Sequence, residues 1–232
     1  MPDPLKNTMS DRISLIVAAA GYARRFGEDK IFKPLLGRPL LEWSLRPFLE
    51  FPEIGEIVLV LRSEALDQAR FLFKAEKIAA IVAGGETREH SVFKGLEEVH
   101  NSRFVLVHDG DRPCLTSLLV KRVLEELKEH PAVLPVLPVK ETIKALTGEM
   151  QVKETLGKGY WLAQTPQGFR YQTLKEAFSK AENAFQAPDD AYIVEKAGIP
   201  VKAILGEETN IKVTTPFDFR VAEMILRERD FV

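Results

Sequence analysis

The chain has 232 residues and a mass of 26.1 kDa, which suits one large domain better than two independent ones. A composition of 45% apolar and 28% charged residues excludes a wholly disordered chain. The 32 basic and 34 acidic residues give a net charge of −2, so nothing points to a nucleic acid or a membrane as partner. The one cysteine, Cys114, excludes a disulfide framework and a cysteine-rich metal site within one chain.

Apolar runs along the chain predict a parallel sheet. Residues 1–10 lack the apolar stretch of a secretory signal, so we expect a disordered tail and a cytoplasmic protein. Five continuous apolar runs then predict buried strands over 13–18, 57–61, 77–83, 104–108 and 132–139. The fifth run contains Pro135 and Pro138, which indicate an irregular or edge strand.

Helical patterns separate these runs. Four helices are predicted: one over 39–50, one that follows Ser63 as its cap, one over 88–99 and one over 119–127. Pro39 is expected at the first position of the first helix. Strands without polar alternation, joined by helices, are typical of an α/β fold with a doubly wound, mostly parallel open sheet.

The segment 142–155 interrupts this rhythm. Its residues alternate in polarity around a Thr147-Gly148 turn, which predicts a projecting β-hairpin. A lone hairpin is marginal in water, so we expect this arm to pack against a second subunit. A strand near Trp161, two helices, a strand over 201–205 and a last helix capped at Thr215 follow. No linker divides the chain, so 11–232 is predicted to be a single domain.

The loop after the first strand is the first place to look for a ligand, because open α/β sheets bind ligands beyond the carboxyl ends of their strands. Small residues are followed by a basic cluster here, which suits a polyphosphate; the alternative is a turn with a solvated basic face. The chain has no P-loop, no G-x-G-x-x-G and no G-x-S-x-G motif, and its four histidines lack zinc-ligand spacing.

Three further segments carry polar residues. The run 84–88, with Ser91 one turn on, could present backbone groups to a base, or could be a Gly-Gly turn capped by Thr87. The acidic pair Asp109 and Asp111 could approach a phosphate-bound metal, or Asp109 could pair with Arg112. Lys212, predicted in a short apolar strand, could bind phosphate or extend into solvent.

Seven motifs in order carry a resemblance that covers about 13–227: VAAAGYARRF, FKPLLG, GGETREHSV, VHDGDRPCL, AQTPQGF, the DDA that starts at Asp189, and NIKVT. With them the chain resembles the 2-C-methyl-D-erythritol 4-phosphate cytidylyltransferase family, which belongs to the Rossmann-like nucleotidyltransferases. The resemblance implies transfer of a cytidylyl group from CTP to that sugar phosphate, with release of pyrophosphate. The alternatives are a ribitol 5-phosphate or related polyol-phosphate cytidylyltransferase, and an inactive nucleotide-binding assembly protein.

The resemblance also implies roles for individual residues and for partners. The catalytic cations would be Arg25, Lys33 and Lys212. The CTP-binding residues would be Ala19, Ala20, Gly21, Gly85, Glu86 and Ser91. The sugar-phosphate side would hold Asp109, Arg112, Thr142 and Thr165. Mg²⁺ or another divalent cation would be held mainly by the CTP phosphates, with Asp109 as its protein ligand, and the hairpin would form a homodimer.

The sequence departs from the family pattern at several positions. The usual Pro-Lys-Gln of the family reads Phe32-Lys33-Pro34 here, with one extra residue before it. Lys30 is therefore the alternative to Lys33 as the catalytic lysine. The usual VHDAARP reads VHDGDRP, which adds the acid Asp111. Pro188 replaces a threonine. Gly157 replaces an arginine, and we expect Lys158 to contact the acceptor phosphate in its place.

Overall fold

The computed structural model describes residues 12–21, 26–27, 29–181 and 184–230. The predicted tail 1–10 and the predicted catalytic Arg25 lie outside the described residues. The strands are β1 (Ile13–Ala19), β2 (Pro34–Leu35), β3 (Arg38–Pro39), β4 (Ile54–Leu61), β5 (Ile78–Ala83), β6 (Phe104–Asp109), β7 (Ala132–Pro138), β8 (Lys144–Leu146), β9 (Val152–Thr155), β10 (Trp161–Ala163), β11 (Gln167–Arg170) and β12 (Lys202–Leu205). The α-helices are α1 (Leu40–Leu49), α2 (Leu66–Leu72), α3 (Arg88–Glu97), α4 (Ser117–Leu127), α5 (Tyr171–Lys180), α6 (Asp190–Lys196) and α7 (Pro216–Asp230).

The central sheet confirms the predicted α/β architecture. Its strands run in the order β10-β7-β11-β6-β1-β4-β5, and β12 pairs with β7. Neighbouring pairs are parallel except where β10 and β11 take part, because those two strands run antiparallel to the rest. The sheet is therefore mostly parallel.

One of the two prolines of β7, Pro135, coincides with a change of partner along that strand. β11 pairs with its beginning, at Ala132 and Val133, whereas β10 pairs with its end, from Val136 to Pro138. The interruption lies at Pro135, which has no amide hydrogen to donate to a ladder.

Both faces of the sheet are covered by helices. The side chains of β1 alternate between the faces because successive residues of a strand point in opposite directions. Leu15 and Val17 join a core cluster with α1, α2 and α4, whereas Ile16 joins a cluster with α3, α5 and α6. The sheet is thus doubly wound, and its polar ligand-binding groups can lie only at the strand ends.

The helix α7 forms a third, smaller core. Its Phe219 and Ala222 pack against Leu35, Leu40 and Cys114. The predicted cap is present: the Asp218 carboxylate accepts from the amides of Thr214 and Thr215, and Thr215 Oγ1 accepts from the Asp218 amide. This packing fixes the loop that precedes α7 and carries Lys212.

Three local predictions are wrong. Pro39 precedes α1 instead of occupying its first position. Ser63 begins a short 3₁₀ turn that leads into α2, and its hydroxyl makes no cap hydrogen bond. Residues 210–214 form no strand; they follow an irregular path anchored where the Val213 amide donates to the Asp111 carbonyl, 2.8 Å away.

The segment between β7 and β10 contains an antiparallel hairpin. β8 pairs with β9 in a two-stranded sheet of its own, separate from the central sheet. Its apolar side chains Leu146, Met150 and Val152 are exposed. The role of this hairpin as a dimerisation arm stays a prediction. No helix in the described ranges is long and apolar enough to cross a membrane.

Candidate active site

A cavity of about 500 Å³ lies beyond the carboxyl ends of β1, β5 and β6. It is lined by Ala18, Ala19, Ala20, Gly21, Lys30, Ile31, Gly85, Glu86, Thr87, Arg88, Ser91, Asp109, Asp111, Lys212 and Thr214. The three strands are parallel, so their polar loops meet at one edge of the sheet. We call this cavity the strand-end pocket. It brings together all six residues predicted to bind CTP, as well as Asp109 and Lys212.

The turn after β5 approaches the loop after β1 very closely. A Cβ added to Gly84 would lie 2.4 Å from Cβ of Ala20 and 2.6 Å from Oγ of Ser91, so only glycine fits there. The Gly85 amide donates to Oγ of Ser91 at 3.0 Å, and Oγ1 of Thr87 accepts from the His90 amide at 3.1 Å. The predicted cap of α3 is therefore present, and the same turn forms one wall of the pocket.

Asp109, at the end of β6, accepts hydrogen bonds from three cations. Its Oδ1 accepts from Nε of Arg88 at 2.9 Å, and its Oδ2 accepts from Nζ of Lys212 at 3.0 Å and Nε of Arg112 at 3.3 Å. Burial alone would raise the pKa of the Asp109 carboxyl, but its three cationic neighbours hold that pKa well below the usual range. Asp109 is therefore an anion at any physiological pH.

Arg88 is the residue whose role the sequence did not indicate. Besides Asp109, its guanidinium donates to Oδ2 of the fully buried Asp190 at 2.8 Å. Burial raises the pKa of the Asp190 carboxyl, against the opposing effect of Arg88. The one signal in the sequence was the position of Arg88 three residues after the Gly-Gly pair, but its partners lie 21 and 102 residues further along the chain.

The two candidate lysines have different surroundings. Nζ of Lys30 lines the pocket, donating to Oδ2 of Asp111 at 2.6 Å and to the Val213 carbonyl at 2.5 Å. Lys33 is not among the lining residues, and its Nζ lies 5.6 Å from the ring centroids of both Phe26 and Phe219. The structure therefore places Lys30, and not Lys33, among the residues that line the pocket, and the catalytic role of either lysine stays a prediction.

Thr165 and Arg112 lie behind Asp109 and do not line the pocket. Oγ1 of Thr165 accepts from the Asp109 amide at 3.1 Å and bonds Nδ1 of His108 at 2.9 Å. Arg112 donates to the Asn210 carbonyl at 2.9 Å and is buried. Burial lowers the pKa of His108 to about 3, so its ring is neutral. In this structure these side chains support Asp109.

The structure does not bring Thr142 and Lys158 to the strand-end pocket. They line a second cavity of about 530 Å³ at the base of the hairpin, formed by residues 138–143 and 156–161. Among the residues that the structure describes, the two cavities share none in their linings. We call the second one the hairpin-base cavity.

Comparisons with known proteins agree along most of the chain. The sequence profile of the 2-C-methyl-D-erythritol 4-phosphate cytidylyltransferase family matches residues 13–228. The protein of that name from Dehalococcoides mccartyi is 37% identical to this chain, and the alignment covers 95% of this chain and 98% of the relative. The protein of that name from Alkaliphilus metalliredigens is 40% identical, and the alignment covers 95% of each chain. The crystal structure of the Thermus thermophilus protein of that name is 36% identical, covers 93% of this chain and 99% of its own, and superimposes with a TM-score of 0.79.

Proposed function

The chain belongs to the 2-C-methyl-D-erythritol 4-phosphate cytidylyltransferase family, and we propose that the strand-end pocket is its active site. The protein is a nucleotidyltransferase of isoprenoid synthesis. It joins CTP to 2-C-methyl-D-erythritol 4-phosphate, giving 4-diphosphocytidyl-2-C-methyl-D-erythritol and releasing pyrophosphate. The observation that carries the site assignment is that two lysines from distant segments, Lys30 and Lys212, meet in one pocket with the small-residue loop after β1.

The pocket offers separate regions for the parts of CTP. Ala19, Ala20 and Gly21 lack bulky side chains, so triphosphate and ribose can approach their backbone closely. Gly85 and Ser91 are held by their mutual hydrogen bond at the start of α3, where backbone groups and a hydroxyl can read the edge of cytosine. Glu86 lines the same wall.

The chemistry needs positioning and charge stabilisation more than a protein nucleophile. An oxygen of the sugar phosphate, already an anion at neutral pH, attacks the α-phosphorus of CTP, and the bond to pyrophosphate breaks. The ammonium groups of Lys30 and Lys212 stabilise the charge that develops on the phosphate oxygens. Asp109 holds Lys212 in place through its 3.0 Å hydrogen bond. Asp109 is itself fixed by Arg88 and Arg112.

The carboxylates of the pocket fit a divalent cation brought in by the triphosphate. Within the described ranges no group of three or more histidine, cysteine, aspartate or glutamate side chains could hold a metal by itself. Both oxygens of Asp109 already accept from cations, whereas Oδ1 of Asp111 is buried without a hydrogen-bond partner. Asp111, more than Asp109, would therefore give Mg²⁺ an oxygen ligand, and the ion would neutralise phosphate charge.

A homodimer would complete the sugar-phosphate side. The exposed apolar residues of the hairpin need a cover, and Lys158 and Thr142 lie in a cavity separate from the pocket. We propose that the hairpin packs on a second subunit and that the hairpin-base cavity of one subunit faces the pocket of the other. A cytoplasmic location fits a chain whose one cysteine is a buried free thiol.

The decisive experiment measures pyrophosphate release. We expect rapid release with CTP, Mg²⁺ and 2-C-methyl-D-erythritol 4-phosphate, and much slower release with ribitol 5-phosphate or with ATP, GTP or UTP in place of CTP. Faster turnover with ribitol 5-phosphate would transfer the assignment to that acceptor. No release with any polyol phosphate, together with CTP binding, would indicate an inactive nucleotide-binding protein.

A further inference from the structure

Asp111 places an extra negative charge inside a pocket that binds an anion. Its side chain is 15% exposed and lines the strand-end pocket. One carboxylate oxygen, Oδ2, accepts from Nζ of Lys30 at 2.6 Å, and the other, Oδ1, lies 3.9 Å from Nζ of Lys212. The same carboxylate therefore stands beside both lysines that would face the triphosphate.

The described residues of the pocket carry balanced charges. Three lining residues are cations, namely Lys30, Arg88 and Lys212, and three are carboxylates, namely Glu86, Asp109 and Asp111. Each of these cations is already paired with a carboxylate in the structure. A free triphosphate would consequently meet little uncompensated positive charge from these residues, and it would be repelled by Asp111 at short range.

Of the two aspartates that line the pocket, only Asp111 has a carboxylate oxygen without a hydrogen-bond partner. Asp109 is surrounded by three cations, and both of its oxygens accept hydrogen bonds from them. Oδ1 of Asp111 is buried and has no hydrogen-bond partner. A buried carboxylate oxygen without a hydrogen bond is costly, and a cation supplied with the ligand would satisfy it.

We propose that Asp111 makes the pocket select the divalent-cation complex of the nucleotide over the free nucleotide. Its charge opposes the bare triphosphate, and its free oxygen favours the cation that the complex brings. Asp111 is thus a specificity-determining residue for the form of CTP that binds. This inference rests on the proposed function, because it assumes that the pocket takes a nucleoside triphosphate.

The test is the affinity for CTP with and without the cation, measured by titration calorimetry on the full chain. The quantity of interest is the dissociation constant in EDTA divided by that in excess Mg²⁺. Asp111→Asn removes the charge but keeps an oxygen that can accept from Lys30. We expect this variant to lower the ratio about tenfold, mainly through tighter binding of metal-free CTP and loss of a cation ligand. Asp67→Asn, which removes an exposed carboxylate on α2, is the matched control and should leave the ratio unchanged.

The outcomes separate this inference from the proposed function. Wild-type protein that binds CTP, together with an Asp111→Asn ratio equal to that of wild type, would overturn the role of Asp111 alone. Equal weakening of binding by Asp111→Asn in EDTA and in Mg²⁺ would overturn that role too, because the side chain would then only position Lys30. Wild-type protein that binds no CTP in Mg²⁺ would overturn the proposed function and this inference with it. If Asp111→Asn does not fold, Asp111→Ala is measured in its place, with the same expected fall in the ratio.

Discussion

Three positions separate Lys30 from Lys33, yet only one of them lines the pocket. Both lysines follow the same strand and carry the same charge, so no local pattern offers a physical basis for choosing between them. The choice is made by tertiary contacts, because Asp111 and Val213, the partners of Lys30, lie 81 and 183 residues further along the chain. The basic cluster was therefore predictable, whereas the identity of its pocket lysine was not.

Substitution of the two lysines tests this distinction. Lys30→Ala should lower kcat at least about a hundredfold, because it removes a charge contact to the transition state. Lys33→Ala, the matched control, should change kcat by less than about fivefold, because its ammonium lies over two phenylalanine rings outside the pocket lining. Steady-state kinetics with circular dichroism to verify folding would decide. A larger loss in Lys33→Ala than in Lys30→Ala would return the catalytic role to Lys33.

His108 makes stability depend on pH. Burial lowers its pKa to about 3, so between the ordinary histidine pKa and that value the unfolded chain binds a proton that the folded chain does not. Stability attributable to His108 is therefore present at pH 7 and is lost as the pH falls below about 6.5. From pH 7 to pH 5 the loss should be roughly 2 kcal/mol.

Urea unfolding at pH 7 and pH 5 measures this loss. The comparison is between wild type and His108→Gln, which cannot titrate in this range. The variant should start less stable at pH 7, because its new side chain must replace the contact with Thr165, but its free energy of unfolding should fall less toward pH 5. Parallel falls in the two proteins would show that His108 does not govern the acid response.

At the scale of elements, the sequence predicted the strands whose positions follow from their apolar patterning. The five long strands appear as apolar runs because most of their residues are buried or half-buried between the two layers of helices. β11 gave no such signal: it has four residues, Gln167–Arg170, one of them a glycine, and it is inserted antiparallel between β6 and β7. Its position depends on pairing with two strands already in place, which a local pattern cannot reveal.

The contact between the turn after β5 and the loop after β1 also belongs to this scale. Gly84→Ala should destabilise the fold by about 1–3 kcal/mol, because the added methyl group would overlap Cβ of Ala20 and Oγ of Ser91. Moving the two loops apart should also weaken CTP binding. Gly148→Ala is the matched control, since a Cβ there meets nothing within 4 Å. Equal stability and equal CTP affinity in the two variants would show that the close approach is not needed.

At the scale of the whole molecule, the site is an assembly of distant segments. The loops after β1, β5 and β6 lie together because these strands are parallel and end at the same edge of the sheet. The rule that open α/β sheets bind ligands beyond the carboxyl ends of their strands was enough to predict that the site lies at this edge. Ion-pair partners such as Arg88 with Asp190 were not predictable, because each pairing depends on side-chain directions in the finished fold. The binding site for the acceptor sugar phosphate would depend in addition on the proposed second subunit.

Lys158 provides the test of that second subunit. As replacement for the missing arginine, it should contact the acceptor phosphate, so Lys158→Ala should raise KM for the polyol phosphate and leave KM for CTP nearly unchanged. The expected loss in kcat/KM is about 1.5–3 kcal/mol, the usual range for a hydrogen bond to a charged group. Light scattering at micromolar concentration should give the mass of a dimer.

Mixing two inactive or weakened variants reveals whether Lys158 acts on its own pocket or on that of its partner. In a mixed dimer of Lys30→Ala and Lys158→Ala subunits, action across the interface leaves one site with both changes and the other with neither. Random exchange of subunits should then restore about a quarter of the wild-type kcat/KM, because half of the dimers are mixed and each has one intact site. If Lys158 served its own subunit, every site would keep one defect and the mixture would equal the mean of the two parents. That result, or a monomer in solution, would contradict the shared site.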